Sequence, residues 1–190
     1  MPFFSAILYP SLVLLILGAT LLWNGPLVAR GARAFPRSLP ATIVFFGGGA
    51  AWFLWYVAHL GADDFGDYKT LLLVLFGTVA LGSFFVVRDF LAVRGLAILI
   101  LLAARPILDS SIALDPPPPG RILLNSAVYI AIAAALYLGA APYALRDFIA
   151  WLWKPAQGVR PRLLGAIFAA CGAALLFFAL RYKQQMGVAS

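Results

Sequence analysis

Apolar residues arrive in six long runs, and polar residues gather between them. The runs cover about Phe3–Trp23, Ala41–Leu60, Thr70–Val87, Gly95–Leu114, Ile122–Leu145 and Leu163–Leu180. Each is close to the roughly 20 residues that a helix needs to cross the hydrocarbon of a bilayer. Backbone groups in lipid must bond within their own segment, so runs of this length are expected to be helices. The predicted fold class is therefore all-α, a polytopic transmembrane helical bundle of about six spans. No polar stretch between them is long enough for a separate soluble domain, so residues 1–190 are expected to form a single integral membrane domain. Asn24-Gly25-Pro26 stops the first run, and Asp115 with the four prolines 116–119 forms a stiff elbow after the fourth.

Composition agrees with the pattern. Hydrophobic residues are 64% of the chain and charged residues 11%, too little polar surface to cover a soluble domain of this size. No basic residue precedes the first run, and that run is too long for a signal-peptide core, so it is expected to remain as a span.

The net charge of +7 is concentrated at the ends of the runs. One set of loops holds Arg30, Arg33, Arg37, Arg88, Arg94, Arg146, Lys154, Arg160 and Arg162, while the opposite set holds Lys69, Arg121, Arg181 and Lys183. The positive-inside rule puts the richer set in the cytoplasm and both termini outside. Membrane lipids are the expected partners of these cations, and nucleic acid is not, because no basic cluster is interleaved with base-stacking aromatics. Arginine outnumbers lysine 11 to 3, a bias that fits a bacterial inner membrane.

Two span ends echo each other. Val87-Arg88-Asp89-Phe90-Leu91-Ala92 resembles Leu145-Arg146-Asp147-Phe148-Ile149-Ala150. The copies fall two spans apart, at the same membrane face, as a duplicated hairpin would place them. Convergent span endings explain the echo more simply, because Arg suits a helix C-terminus and an anionic leaflet while Phe suits the interface. The segment Phe148–Pro155, with Trp151 and Trp153, is expected to lie as a short amphipathic helix in the headgroup region.

Three groups of residues are candidates for chemistry. Arg105 and Asp109 lie four residues apart within a run, around Pro106, so one helix face carries both charges. This intramembrane charge pair could serve a transport pathway, or it could snorkel toward the outer headgroups if the span begins near Phe90. Trp52, Trp55, Tyr56 and His59 follow helical spacing and form either a candidate ligand groove or an outer aromatic belt. His59 is the only histidine and Cys171 the only cysteine, so neither a His-rich nor a Cys-based metal site is expected, and no cofactor is implied. Asp63-Asp64-Phe65-Gly66-Asp67 matches the letters DDxxD and so resembles the aspartate-rich magnesium–diphosphate motif of prenyl-transferring enzymes. Those enzymes need a second acidic motif, whereas the remaining acids here are isolated, so Asp63, Asp64 and Asp67 are expected to form a solvated outer loop.

No nucleophile–base set or nucleotide loop stands out, and no catalytic residue is assigned. The expected role is an accessory or scaffold subunit with a protein partner in the membrane. A small transporter or channel and a lipid-modifying membrane enzyme are the alternatives.

Overall fold

A computed structural model describes residues 2–61, 65–87, 89–112, 117–154 and 158–188, with side chains through 184. The described residues are helical throughout, without a strand. Six helical segments are long and apolar enough to cross a membrane: Phe3–Trp23, Leu39–Ala58, Gly66–Val86, Leu91–Ile112, Arg121–Ala140 and Val159–Gln184. The chain is a multi-pass membrane protein.

In order, the helices are α1 (Phe3–Trp23), α2 (Pro26–Ala34), α3 (Leu39–Ala41), α4 (Gly48–Ala58), α5 (Lys69–Val86), α6 (Leu91–Ile112), α7 (Arg121–Ala140), α8 (Tyr143–Leu152) and α9 (Val159–Val188). Asn24 takes a left-handed conformation (φ 48°) after α1, and its backbone N–H donates to the Thr20 carbonyl. Pro26 then opens α2, where its missing N–H costs nothing. The second span starts at Ser38, whose hydroxyl accepts from Ala41 N, and passes through a π-helical stretch, Thr42–Gly47, before α4.

Several boundaries differ from expectation: the third span begins four residues earlier, at Gly66, and the sixth extends four residues further at each end, to Val159 and Gln184. The fifth span ends at Ala140 rather than Leu145, because Pro142 cannot continue the helix and disfavours helical geometry at the residue before it. Leu145, Arg146 and Asp147 therefore belong to α8, which starts earlier than the expected amphipathic segment and ends at Leu152. The fourth span starts at Leu91, four residues before expectation. The segment expected to be plain loop after Trp23 contains the helix α2.

The fold divides into two compact units. The first comprises Met1–Arg33, Ala103–Ala133 and Phe148–Ser190. Here α1 and α9 run antiparallel at very close range. A methyl group at Gly172 would lie 2.9 Å from the Ser11 carbonyl and Leu15 N, one at Gly18 would lie 2.6 Å from Ala169 N, and one at Gly165 would lie 2.8 Å from Leu22 N. Phe3 and Tyr182 meet edge to face at 5.0 Å. Phe3, Ile7, Leu124, Val128 and Leu175 form the core beside Ala104 and Ala179. Ser111, fully buried, lies 2.8 Å from Asn125 Oδ1 and 2.9 Å from the Leu108 carbonyl, so a polar contact joins α6 and α7. At Gly120 a positive φ of 82° coincides with a close approach to Phe178, so two independent constraints demand glycine.

The second unit comprises Ala34–Leu102 and Ala134–Asp147. Its closest approach is at Gly95, where a methyl group would run into the backbone of Phe45 and Phe46 in the π-helical stretch. Phe46 packs on Phe84 at 5.3 Å and Phe53 on Phe76 at 5.1 Å. Beyond these contacts α5 is sparsely packed: none of its residues is buried.

The two kinds of glycine should respond oppositely to substitution. Gly165→Leu is expected to destabilise the protein by about 1–3 kcal/mol through overpacking. Gly77→Ala, whose added methyl meets nothing within 4 Å, should be neutral or stabilise by up to about 1 kcal/mol. Thermal unfolding in detergent, followed by circular dichroism, measures both.

Candidate functional site

The charge pair singled out by the sequence lies in the first unit and the aromatic stripe in the second. Arg105 and Asp109 face each other along α6, with Nε 3.8 Å from Oδ2. Their side chains are 75% and 69% exposed, so the pair is on an outward surface. On α4, Trp52 stacks on Tyr56 at 6.4 Å, and Trp55 contacts both Tyr56 and His59. Trp55 and His59 are exposed, and His59 Nδ1 lies 2.7 Å from the Trp55 carbonyl, folding the imidazole back on its own helix. The helix stops at Ala58, so the face does not extend toward Asp63. Asp63 and Asp64 lie outside the described residues, as does Arg88. Asp67 is exposed in the short 3-10 turn Gly66–Tyr68. No cluster of three or more metal-ligating side chains occurs among the described residues.

The echoed span ends do make a constellation. Phe90 adopts a left-handed backbone (φ 59°), which costs a bulky side chain roughly 1–2 kcal/mol. Two cations face its ring: the Arg37 guanidinium carbon is 5.6 Å from the centroid and that of Arg146 is 5.9 Å. The first copy's Phe is thus covered by the second copy's Arg, and by an arginine from outside the echo. Arg146 also holds Asp147 at 2.8 Å, while Asp89 is exposed. One turn after Phe90 comes Arg94, whose N–H donates to the Phe90 carbonyl at 3.2 Å. Its Nε is buried without a hydrogen-bond partner among the described residues. A buried donor on a cation is expensive to leave unsatisfied. Arg94 also heads a groove of about 380 Å³ between α6 and α7, lined otherwise by apolar residues.

Phe148, the second copy's aromatic, stacks instead on Trp151 at 5.8 Å within α8. In the first unit, Trp153 Nε1 donates to Asn24 Oδ1 at 2.9 Å, Arg33 donates to the Trp153 carbonyl at 3.1 Å, and Arg160 lies over the Trp151 ring at 4.3 Å. Ile149 and Leu152 are buried while Phe148 and Trp151 are exposed, giving α8 its two faces. At the far end of α9, Arg181 lies over Phe177 and Lys183 over Phe4, so these two cations are held on aromatic rings near the start of α1.

Sequence reasoning placed Arg37 and Arg94 only among the topology-setting cations. The signal that would have found Arg94 is the Arg94–Ala97–Leu101 face on α6, a cation leading a stripe at helical spacing, whereas no local pattern marks Arg37. Comparison with known proteins is silent: no family model matches the chain, and no curated protein or solved structure matches it.

An exposed ion pair contributes little to stability, so Arg105→Gln is expected to shift unfolding by no more than about 1 kcal/mol. Denaturation of the variant in detergent measures this, and a loss of about 3 kcal/mol would show that the pair is buried in the folded protein.

Proposed function

We propose that this chain is an accessory or scaffold subunit of a larger complex in a bacterial inner membrane. Its arginine-rich end faces the cytoplasm and both termini lie outside. The observation that carries this reading is α5, which buries none of its residues in the chain. Gly77 and Gly82 interrupt it, and a methyl group at either would meet nothing within 4 Å. Each glycine costs a helix about 1 kcal/mol relative to alanine. Within this chain that cost gains no close packing, and lipid does not require it. A helix of another protein does, because small residues are what let two membrane helices approach.

The other roles draw less support. A transport pathway needs the Arg105–Asp109 pair turned into the bundle, whereas both side chains are on an outward surface. Leu91 begins α6, so Arg105 lies about 21 Å along it, near enough to the far boundary to snorkel. A lipid-modifying enzyme at the outer face needs His59 aimed at substrate, whereas its Nδ1 rests on its own helix.

Photo-crosslinking residues placed at Val74 and Leu81 of α5, both exposed, are expected to capture a protein of defined mass in native membranes. The same probe at Leu175, buried against α1, should give only internal products. A chain that yields lipid adducts alone at Val74 and Leu81, and migrates alone in mild detergent, would overturn the accessory reading.

A further inference from the structure

The groove headed by Arg94 joins one buried cationic donor to an apolar lining. Its walls are Arg94, Ala97, Ile98 and Leu101 from α6 and Ala135, Leu136 and Gly139 from α7, all within the second unit. Ala97, Ala135 and Gly139 are small, and a methyl group at Gly139 would meet nothing within 4 Å. Ala97 and Ala135 are buried at its floor, whereas Gly139 is exposed. From Arg94 to Leu101 the groove runs about 10 Å along the helix axis.

The charges are at one end of it. Arg94 Nε is buried and lacks an acceptor among the described residues, one turn from Phe90, over whose ring both Arg37 and Arg146 lie. The carboxylates close by in the chain are Asp147, taken by Arg146, and Asp89, which is exposed. The three arginines therefore exceed the nearby acids. A free anion would satisfy the cations and leave the apolar channel unexplained. A neutral lipid would fill the channel and leave the Arg94 donor unexplained.

We propose that this groove binds one anionic phospholipid, its phosphate on Arg94 with Arg37 and Arg146 nearby, and one acyl chain lying along Ile98, Leu101, Leu136 and Gly139. Guanidinium groups suit this role because their donors match phosphate oxygens in a fork. Arg94 is in the first turn of α6, three residues after Leu91, and the groove leads from there along the helix; for a span that begins at Leu91 this runs from the headgroups inward, as a phospholipid does. The inference does not depend on the accessory role.

The test is native mass spectrometry of the full chain in detergent, titrated with phosphatidylglycerol or phosphatidylcholine. Wild type is expected to bind phosphatidylglycerol at least about tenfold more tightly than phosphatidylcholine. Arg94→Gln should abolish that preference, and Gly139→Leu, which adds bulk to the groove's lining, should weaken phosphatidylglycerol about tenfold or more with the cations intact. Arg105→Gln, away from the groove, should bind as wild type does. Millimolar inorganic phosphate should not displace the lipid. If phosphate competes fully and Gly139→Leu has no effect, the site takes a free anion and the proposal fails. It fails equally if both lipids bind alike to wild type. Should Arg94→Gln not fold, Gly139→Leu decides alone, since its added side chain enters open space.

Discussion

Between apolar helices in lipid the hydrophobic effect offers almost no net attraction, because an acyl chain is as good a neighbour as leucine. What remains is close van der Waals contact, and that requires backbones to meet. The first unit depends on this at Gly18, Gly165 and Gly172, where α1 and α9 approach so closely that a methyl group has no room. The second depends on it at Gly95, against the Phe45–Phe46 backbone. Larger side chains then fill around these points, as Phe3, Ile7, Leu124 and Leu175 do in the first unit.

The same logic separates packing glycines from idle ones. A methyl group at Gly77, Gly82 or Gly139 would meet nothing within 4 Å, although their sequence surroundings resemble those of the packing glycines. Two of them lie on a span with no fully buried residue, and the third lines the groove headed by Arg94. These two places carry the two proposals, a protein helix against α5 and a lipid chain beside Arg94.

Polar groups follow a complementary rule. Lipid cannot satisfy them, so they gather at helix ends or find each other. Asn24 shows both roles: its backbone ends α1 in a left-handed turn, and its side chain takes the Trp153 indole. Arg33 and Arg160 add bonds to the carbonyls of Trp153 and Trp151. Aromatic rings serve other cations, Arg37 and Arg146 at Phe90, Arg181 at Phe177 and Lys183 at Phe4.

The helical class and the six spans were legible in the residue pattern alone, because a run of apolar residues near 20 has few other ways to satisfy its backbone. The Asn24-Gly25-Pro26 stop was legible for the same local reason, and Pro142 held an equally local signal for the end of α7. Which face of each helix meets protein was not legible. Apolar residues surround these spans on all sides, so periodicity does not mark an inner face. The outward placement of Arg105 and Asp109, the return of His59 to its own helix and the gathering of Arg37 and Arg146 on Phe90 depend on how each span is rotated and where its ends come to rest. Rotation is decided by contacts between residues far apart in the chain, and those contacts exist only once the helices have packed.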